Sequence, residues 1–225
     1  MRRTVNLPRP ASLWACCLPL VAGLWGGAQA ATSLKGDGLI LNTPCLSTVH
    51  IATNATLPGA VQLEHPLPAG ITATVGKDNV ILITQTGCTA TSPLTAPLTV
   101  TTRPDLPLTI DNAGRSAVQV DDRTGTLFIR AGSAPVTLGK AGELGLVSAS
   151  SGPITIRTLA ESARIRSEAS APVTIQAITA PALALYLGGS ASFTAQSGHL
   201  QALEITSAST ADATVHATTD VGVFH

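Results

Sequence analysis

Two cysteines stand out among the side chains of this sequence that could support chemistry. Cys45 and Cys88 lie 43 residues apart, beyond an N-terminal stretch that holds the other two cysteines. In an oxidising compartment we expect them to form one disulfide, with two free thiols as the alternative. They lack the paired Cys/His spacing that a structural zinc site needs.

The acidic and histidine side chains form no recognisable catalytic motif. Asp121 and Asp122 are adjacent, and paired carboxylates can bind calcium or transfer protons, but the following Arg123-Thr124-Gly125 predicts a solvated turn. No two histidines share a short ligand motif, and the sequence has neither a Gly-x-Ser-x-Gly elbow nor a phosphate-binding glycine loop. We therefore predict no catalytic residue, no cofactor and no metal site. The histidines are His50, His65, His199, His216 and His225.

Residues 1–30 have the three parts of a secretory signal peptide. Arg2, Arg3 and Arg9 precede an apolar run from 13 to 25, and Ala28-Gln29-Ala30 fits a cleavage site. The chain is then exported to the periplasm or the cell surface of a bacterium, and we expect no membrane span after cleavage. The remaining residues carry ten basic and thirteen acidic side chains, so they have no electrostatic reason to bind nucleic acid.

Residues 31–97 contain short apolar strands separated by proline and glycine. Two β-branched runs, 71–75 and 79–84, flank Gly76-Lys77-Asp78 and predict a β-hairpin. Cys45 precedes a strand and Cys88 follows the hairpin, so a disulfide would tie the two together. We interpret 31–97 as an irregular, strand-rich N-terminal cap.

Residues 98–225 are interpreted as a β-solenoid, since a short motif recurs in them at a nearly constant step. Ser133-Ala-Pro-Val-Thr-Leu138 returns at 151–156 and 170–175, and more loosely at 190–195. A worn fifth copy stands at 212–215, and, aligned on the residue before threonine, the five copies lie 18, 19, 20 and 20 residues apart. Short strand-like repeats of about 20 residues are typical of stacked coils.

Each repeat also carries a second apolar strand, which predicts two interior columns of side chains. In such a coil, residues at equivalent positions stack about 4.8 Å apart through parallel strand pairing. We expect one column of Val136, Ile154, Val173 and Phe193, and an opposing column of Leu146, Ile165, Leu185 and Ile205. The alternative is a threonine- and alanine-rich β-sandwich in which the motif recurs by coincidence.

These motifs resemble the auto-transporter adhesin head (GIN) domain family and related bacterial β-helical adhesin-like domains. Gly125-Thr126-Leu127-Phe128-Ile129 is similar to the family's "gTLxI" strand. The corners at Ser133, Ser151, Ser170 and Ser190 take the place of its Gly/Ser corners before a "dVtl" strand. The resemblance implies an exported β-helical protein with an adhesin-like role, and it implies no functional residue.

The leading hypothesis is an exported, non-enzymatic β-solenoid with an adhesin-like or envelope-associated binding or structural role. Its partner would be an unidentified envelope or extracellular protein or a glycan. One alternative is a glycan-processing β-helix enzyme, because Glu161, Glu168 and Glu204 lie in different repeats that stacking could bring together. Another is a periplasmic sensor or assembly module.

Overall fold

The computed structural model describes residues 31–225, so the predicted signal peptide, residues 1–30, lies outside the described residues. The described chain is all-β, with 19 strands. They are β1 (Thr32–Leu34), β2 (Gly38–Asn42), β3 (Thr48–Thr53), β4 (Val61–Leu63), β5 (Ile71–Val75), β6 (Val80–Gln85), β7 (Leu98–Thr102), β8 (Leu108–Asn112), β9 (Ala117–Val120), β10 (Leu127–Ala131), β11 (Val136–Ala141), β12 (Leu144–Ser148), β13 (Ile154–Leu159), β14 (Ala163–Ser167), β15 (Val173–Leu187), β16 (Phe193–Ala195), β17 (Gly198–Ser207), β18 (Ala213–Val215) and β19 (Thr218–Phe224).

The strands stack as parallel coils of about 20 residues and form a β-solenoid of about six turns. One sheet contains β8, β10, β12, β14, the second half of β15, β17 and β19. The other contains β9, β11, β13, the first half of β15, β16 and β18. The solenoid predicted from the repeat is confirmed.

The two predicted interior columns are also confirmed. Val136, Ile154, Val173 and Phe193 follow one another in register across the second sheet. Leu146, Ile165, Leu185 and Ile205 do so across the first sheet, and every member of both columns is at most 5% exposed. Because strand side chains alternate, the residue between two buried ones points outward; in the second sheet polar residues such as Thr155 and Thr174 occupy these outward positions.

The N-terminal strands take part in the same stack. Strand β2 lies between β6 and β8, and β3 lies between β7 and β9, with parallel pairing on both sides. Residues 38–53 therefore form one coil, and residues 80–102 form a second coil that pairs with one side of it. The chain then crosses to the other side of the first coil, where β8 and β9 pair with β2 and β3. Strands β2 and β3 precede the domain boundary expected between residues 97 and 98, and they lie in the same sheets as β8 and β9, which follow it.

Antiparallel strands cover the N-terminal end of the stack. Strands β5 and β6 form the predicted hairpin, which confirms that expectation, and β5 lies along the edge of β6. On the other sheet, β4 pairs with β7, and β1 pairs with β4. These strands cover edges that would otherwise present free backbone groups.

A buried arginine holds the crossing segment between β7 and β8. Arg123 is 1% exposed; its guanidinium donates hydrogen bonds to the hydroxyl of Thr102 at 2.7 Å and to the carbonyl oxygen of Leu106. Burial lowers the pKa of Arg123 from its ordinary value to about 10, while the charge of Asp105 opposes that shift. The arginine thus fastens the chain at the point where it returns across the first coil.

Candidate functional site

The structure joins Cys45 to Cys88, with their Cα atoms 5.9 Å apart. Cys45 is buried next to β3, and Cys88 lies in the loop after the hairpin. The disulfide therefore links the first coil to the second. Arg115 crosses this loop and donates hydrogen bonds to the carbonyl oxygens of Thr89, at 3.3 Å, and Ser92. The cystine is part of a braced structural corner.

Each carboxylate of the acidic pair is bound to a different basic side chain. His50 Nε2 lies 3.0 Å from Asp121 Oδ1, across the boundary between β3 and β9. Asp122 accepts hydrogen bonds from the Arg157 guanidinium and from the backbone N–H of Lys140 at 2.8 Å. The hydrogen bond from Arg157, followed by that of Lys140, lowers the pKa of Asp122.

This polar cluster borders a shallow depression of about 540 Å³ on the outer face of the second sheet. Both carboxylates therefore have hydrogen-bonding partners within the fold, which is typical of a surface polar network. No pattern in the sequence predicts these contacts, because His50 and Arg157 belong to coils that are distant from residues 121 and 122 along the chain. Within residues 31–225, no three His, Cys, Asp or Glu side chains are grouped so that they could hold a metal ion.

Two other histidines, His199 and His65, have polar partners apart from this cluster. His199 is 3.3 Å from Asp220 and 3.1 Å from the Thr218 hydroxyl, on the last two coils. His65 lies 2.6 Å from the hydroxyl of Thr32 at the covered end. Both are exposed pairs between neighbouring strands.

A column of five threonines runs along the outer face of the second sheet. The five occupy equivalent positions on five successive strands, so that each lies beside the next in register. Parallel strands lie about 4.8 Å apart, so the five threonine side chains form a row with that spacing. We call this surface the threonine face; its column is Thr137, Thr155, Thr174, Thr194 and Thr214.

The outer face of the first sheet is different, because it carries aromatic and arginine side chains beside small ones. One column runs through Phe128, Gly145, Arg164, Ala184 and Glu204. The neighbouring column runs through Arg130, Val147, Arg166, Tyr186 and Thr206.

Two contacts fix the aromatic side chains of this second face. The guanidinium carbon of Arg166 lies 4.6 Å from the ring centre of Tyr186, and Arg166 also pairs with Glu168. A cation over an aromatic face is an attractive arrangement. The ring of Phe128 lies over Gly145, where an added Cβ would stand 2.9 Å from the ring carbon Cδ2.

Within residues 31–225 no helix is long and apolar enough to cross a membrane. No family model matches the chain, and no curated protein matches it.

Two solved structures are similar to the chain. A "putative adhesin" from Bacteroides fragilis is 14% identical, with a TM-score of 0.46, over 87% of this chain and 94% of that one. A "putative cell adhesion protein" from Clostridium sporogenes is 10% identical, with a TM-score of 0.27, over 87% of this chain and 96% of that one. These values are too low to transfer a function, so membership of the GIN family remains a prediction.

Proposed function

We propose that this chain is exported and acts without catalysis, as an adhesin-like binding protein of the cell envelope or cell surface. The observation that carries the proposal is the threonine face, a row of short hydroxyl side chains on a regular stack. Threonine is β-branched, which restricts its χ1 angle, so such a row loses little side-chain entropy when a partner binds.

The partner of the threonine face is a flat protein or glycan surface. A row of hydroxyls both donates and accepts hydrogen bonds, and its methyl groups supply apolar contact. Apart from the ion pair of Asp122 and Arg157 at one side, the column itself carries no charge, so association needs no opposite charge on the partner.

Two features support export and the location of the protein. The Cys45–Cys88 cystine, in which Cys45 is buried, is of the kind that persists in an oxidising compartment, outside the cytoplasm. The first thirty residues fit a secretory signal.

The experiment is a capture assay on the native envelope. Labelled protein is incubated with intact cells and with separated envelope fractions, and the bound fraction is compared between the wild type and Thr174→Lys. The substitution places a long charged side chain in the middle of the row, so we expect at least a tenfold loss of binding. Thr179→Lys is the matched control, because Thr179 is exposed on the same strand but lies outside the threonine column.

Retention of the wild type on no envelope fraction would contradict the proposal, and so would equal binding by Thr174→Lys. Release of reducing ends from a polysaccharide panel would instead favour a glycan-processing enzyme. Binding confined to periplasmic proteins of an assembly or sensing system would favour the module alternative.

A further inference from the structure

The outer face of the first sheet contains a groove that lies apart from the threonine face. Two adjoining depressions, of about 490 and 230 Å³, both include Arg164 and Ala184 in their walls. Phe128 stands in the wall of the first and Tyr186 in the wall of the second. We call this surface the aromatic–arginine groove.

The groove is shaped by the sizes of the residues in one column. Gly145 and Ala184 lie on the two strands next to Arg164, so the arginine stands between two low points of the sheet. Phe128, on the preceding strand, covers Gly145 with its half-buried ring. This ring forms an apolar surface at one end of the groove. Tyr186 stands near the opposite end, beyond the pair of arginines.

The two arginines in the middle of the groove differ in the contacts that their guanidinium groups make. Arg166 is held by Glu168 and by the ring of Tyr186. Arg164 is exposed, and no carboxylate of residues 31–225 comes within salt-bridge distance of it. Its guanidinium therefore keeps its donors for a ligand, and a planar guanidinium matches a carboxylate with two parallel hydrogen bonds.

Two carboxylates at the borders of the groove restrict the kinds of ligand that it could bind. Glu143 lines the first depression and Glu204 lines the second, on either side of Arg164. Carboxylates accept hydrogen bonds, so they suit a ligand with hydroxyl donors and disfavour one with several phosphates or sulfates. Aromatic side chains at both ends suit a ligand with flat apolar faces.

We propose that the aromatic–arginine groove binds an acidic oligosaccharide whose charge is a uronic-acid carboxylate. The carboxylate pairs with Arg164, the sugar hydroxyls donate to Glu143 and Glu204, and ring faces lie against Phe128 and Tyr186. The site is on a different sheet from the threonine face, so either proposal can fail while the other stands.

The test is calorimetric titration of the exported chain with two defined probes, oligogalacturonate and hyaluronan oligosaccharides. The carboxyl-reduced form of each probe is the neutral counterpart and differs only in the charged group. We expect the acidic form of at least one probe to bind at least about tenfold more tightly than its reduced form, since a charge-assisted hydrogen bond contributes that much. Arg164→Gln should remove this preference, and Arg164→Lys should restore part of it.

Arg130→Gln is the matched control, because Arg130 lies on the same face outside both depressions and is near Asp111. Tyr186→Ala should weaken binding of the acidic and the reduced probe alike. Three results would overturn the proposal: binding of neither probe, equal affinity for the acidic and reduced forms, or unchanged affinity in Arg164→Gln. Circular dichroism and the melting temperature establish that each variant is folded before titration.

Discussion

Val49 and Val118 lie side by side in register on β3 and β9, although β4 to β8 all separate them along the chain. Val49 is also in register with Leu98 on its other side. The first coil of the described chain is thus enclosed between two later ones. In the folded protein, the segment between β7 and β8 therefore crosses from one side of this first coil to the other.

The enclosed coil predicts that residues 98–225 do not keep the native end when they are produced alone. Removal of 31–97 takes β2 and β3 from between their neighbours, so β7 loses both of its partners, β3 and β4, and β8 and β9 become edges. Neighbour contacts supply most of the stability of a coil in a solenoid. We expect hydrogen exchange at β7, β8 and β9 to rise to the rate of an unprotected edge, with protection from β13 onward retained.

The same experiment decides between two views of the N-terminal region. Native-like protection at β8 and β9 in the fragment would mean that 31–97 is a separable cap. The intact chain with Cys45 and Cys88 both replaced by alanine is the control, because it keeps every strand while it removes the covalent link.

The cystine predicts a defined loss of stability. It closes a loop of 43 residues between the first coil and the loop after the hairpin. In the loop-entropy model, a link of that length contributes about 4 kcal/mol to the free energy of unfolding. We expect the double variant Cys45→Ala, Cys88→Ala to lose most of this amount in urea unfolding.

Thiol labelling gives an independent check of the same pair. Denatured, unreduced protein that lacks residues 1–30 should take up no label, and reduced protein should take up two equivalents. Label uptake before reduction would show that the two cysteines are free.

The corner of the coil at Gly132 predicts a strong effect of a single methyl group. A Cβ at Gly132 would collide with the carbonyl oxygen of Gly114, which itself accepts a hydrogen bond from the Ser133 N–H at 2.8 Å. The neighbour is backbone and cannot rotate away, so we expect Gly132→Ala to cost about 3 kcal/mol in the free energy of unfolding.

Gly38→Ala serves as the control for that substitution. A Cβ at Gly38 would meet only the carbonyl oxygen of Pro107, at the ordinary distance of 3.7 Å. We expect a change within about 1 kcal/mol, since only a small difference in backbone entropy remains. Equal effects of the two substitutions would mean that the corner relaxes more readily than its packing implies.

The repeat made most of the solenoid predictable from the sequence. The step of 18 to 20 residues and the strand alternation place Ile154, Val173 and Ile165 in the correct columns. Both signals are local or periodic, so they survive without knowledge of the tertiary structure. The same alternation puts Arg164 and Arg166 outward, as they are in the structure.

The enclosed first coil could not be predicted in this way. Strands β2 and β3 carry no copy of the Pro-Val-Thr motif, and their neighbours in the stack are not their neighbours in the sequence. The contact between His50 and Asp121 depends entirely on that order. The groove depends on the register of Phe128, Arg164 and Tyr186, which is visible only once the strands are aligned.

Arg123 predicts a dependence of stability on pH at the alkaline end. Burial disfavours the charged form and lowers the pKa of Arg123 to about 10 in the folded protein, below its ordinary value in the unfolded chain. Between the folded and the unfolded pKa of this group, the unfolded chain binds more protons than the folded one, so the contribution of the group to stability rises with pH. Below pH 10 both states are protonated, and the contribution is constant.

Urea unfolding of the wild type and of Arg123→Met on both sides of pH 10 isolates this contribution. At neutral pH we expect the variant to be less stable by about 3 kcal/mol, since Thr102 and the Leu106 carbonyl lose a charged donor. Above pH 10 the wild type should gain stability relative to the variant. Arg103→Met is the control, because Arg103 is exposed and should leave the difference independent of pH. A difference between wild type and Arg123→Met that stays flat through pH 10 would show that the buried guanidinium keeps its ordinary pKa.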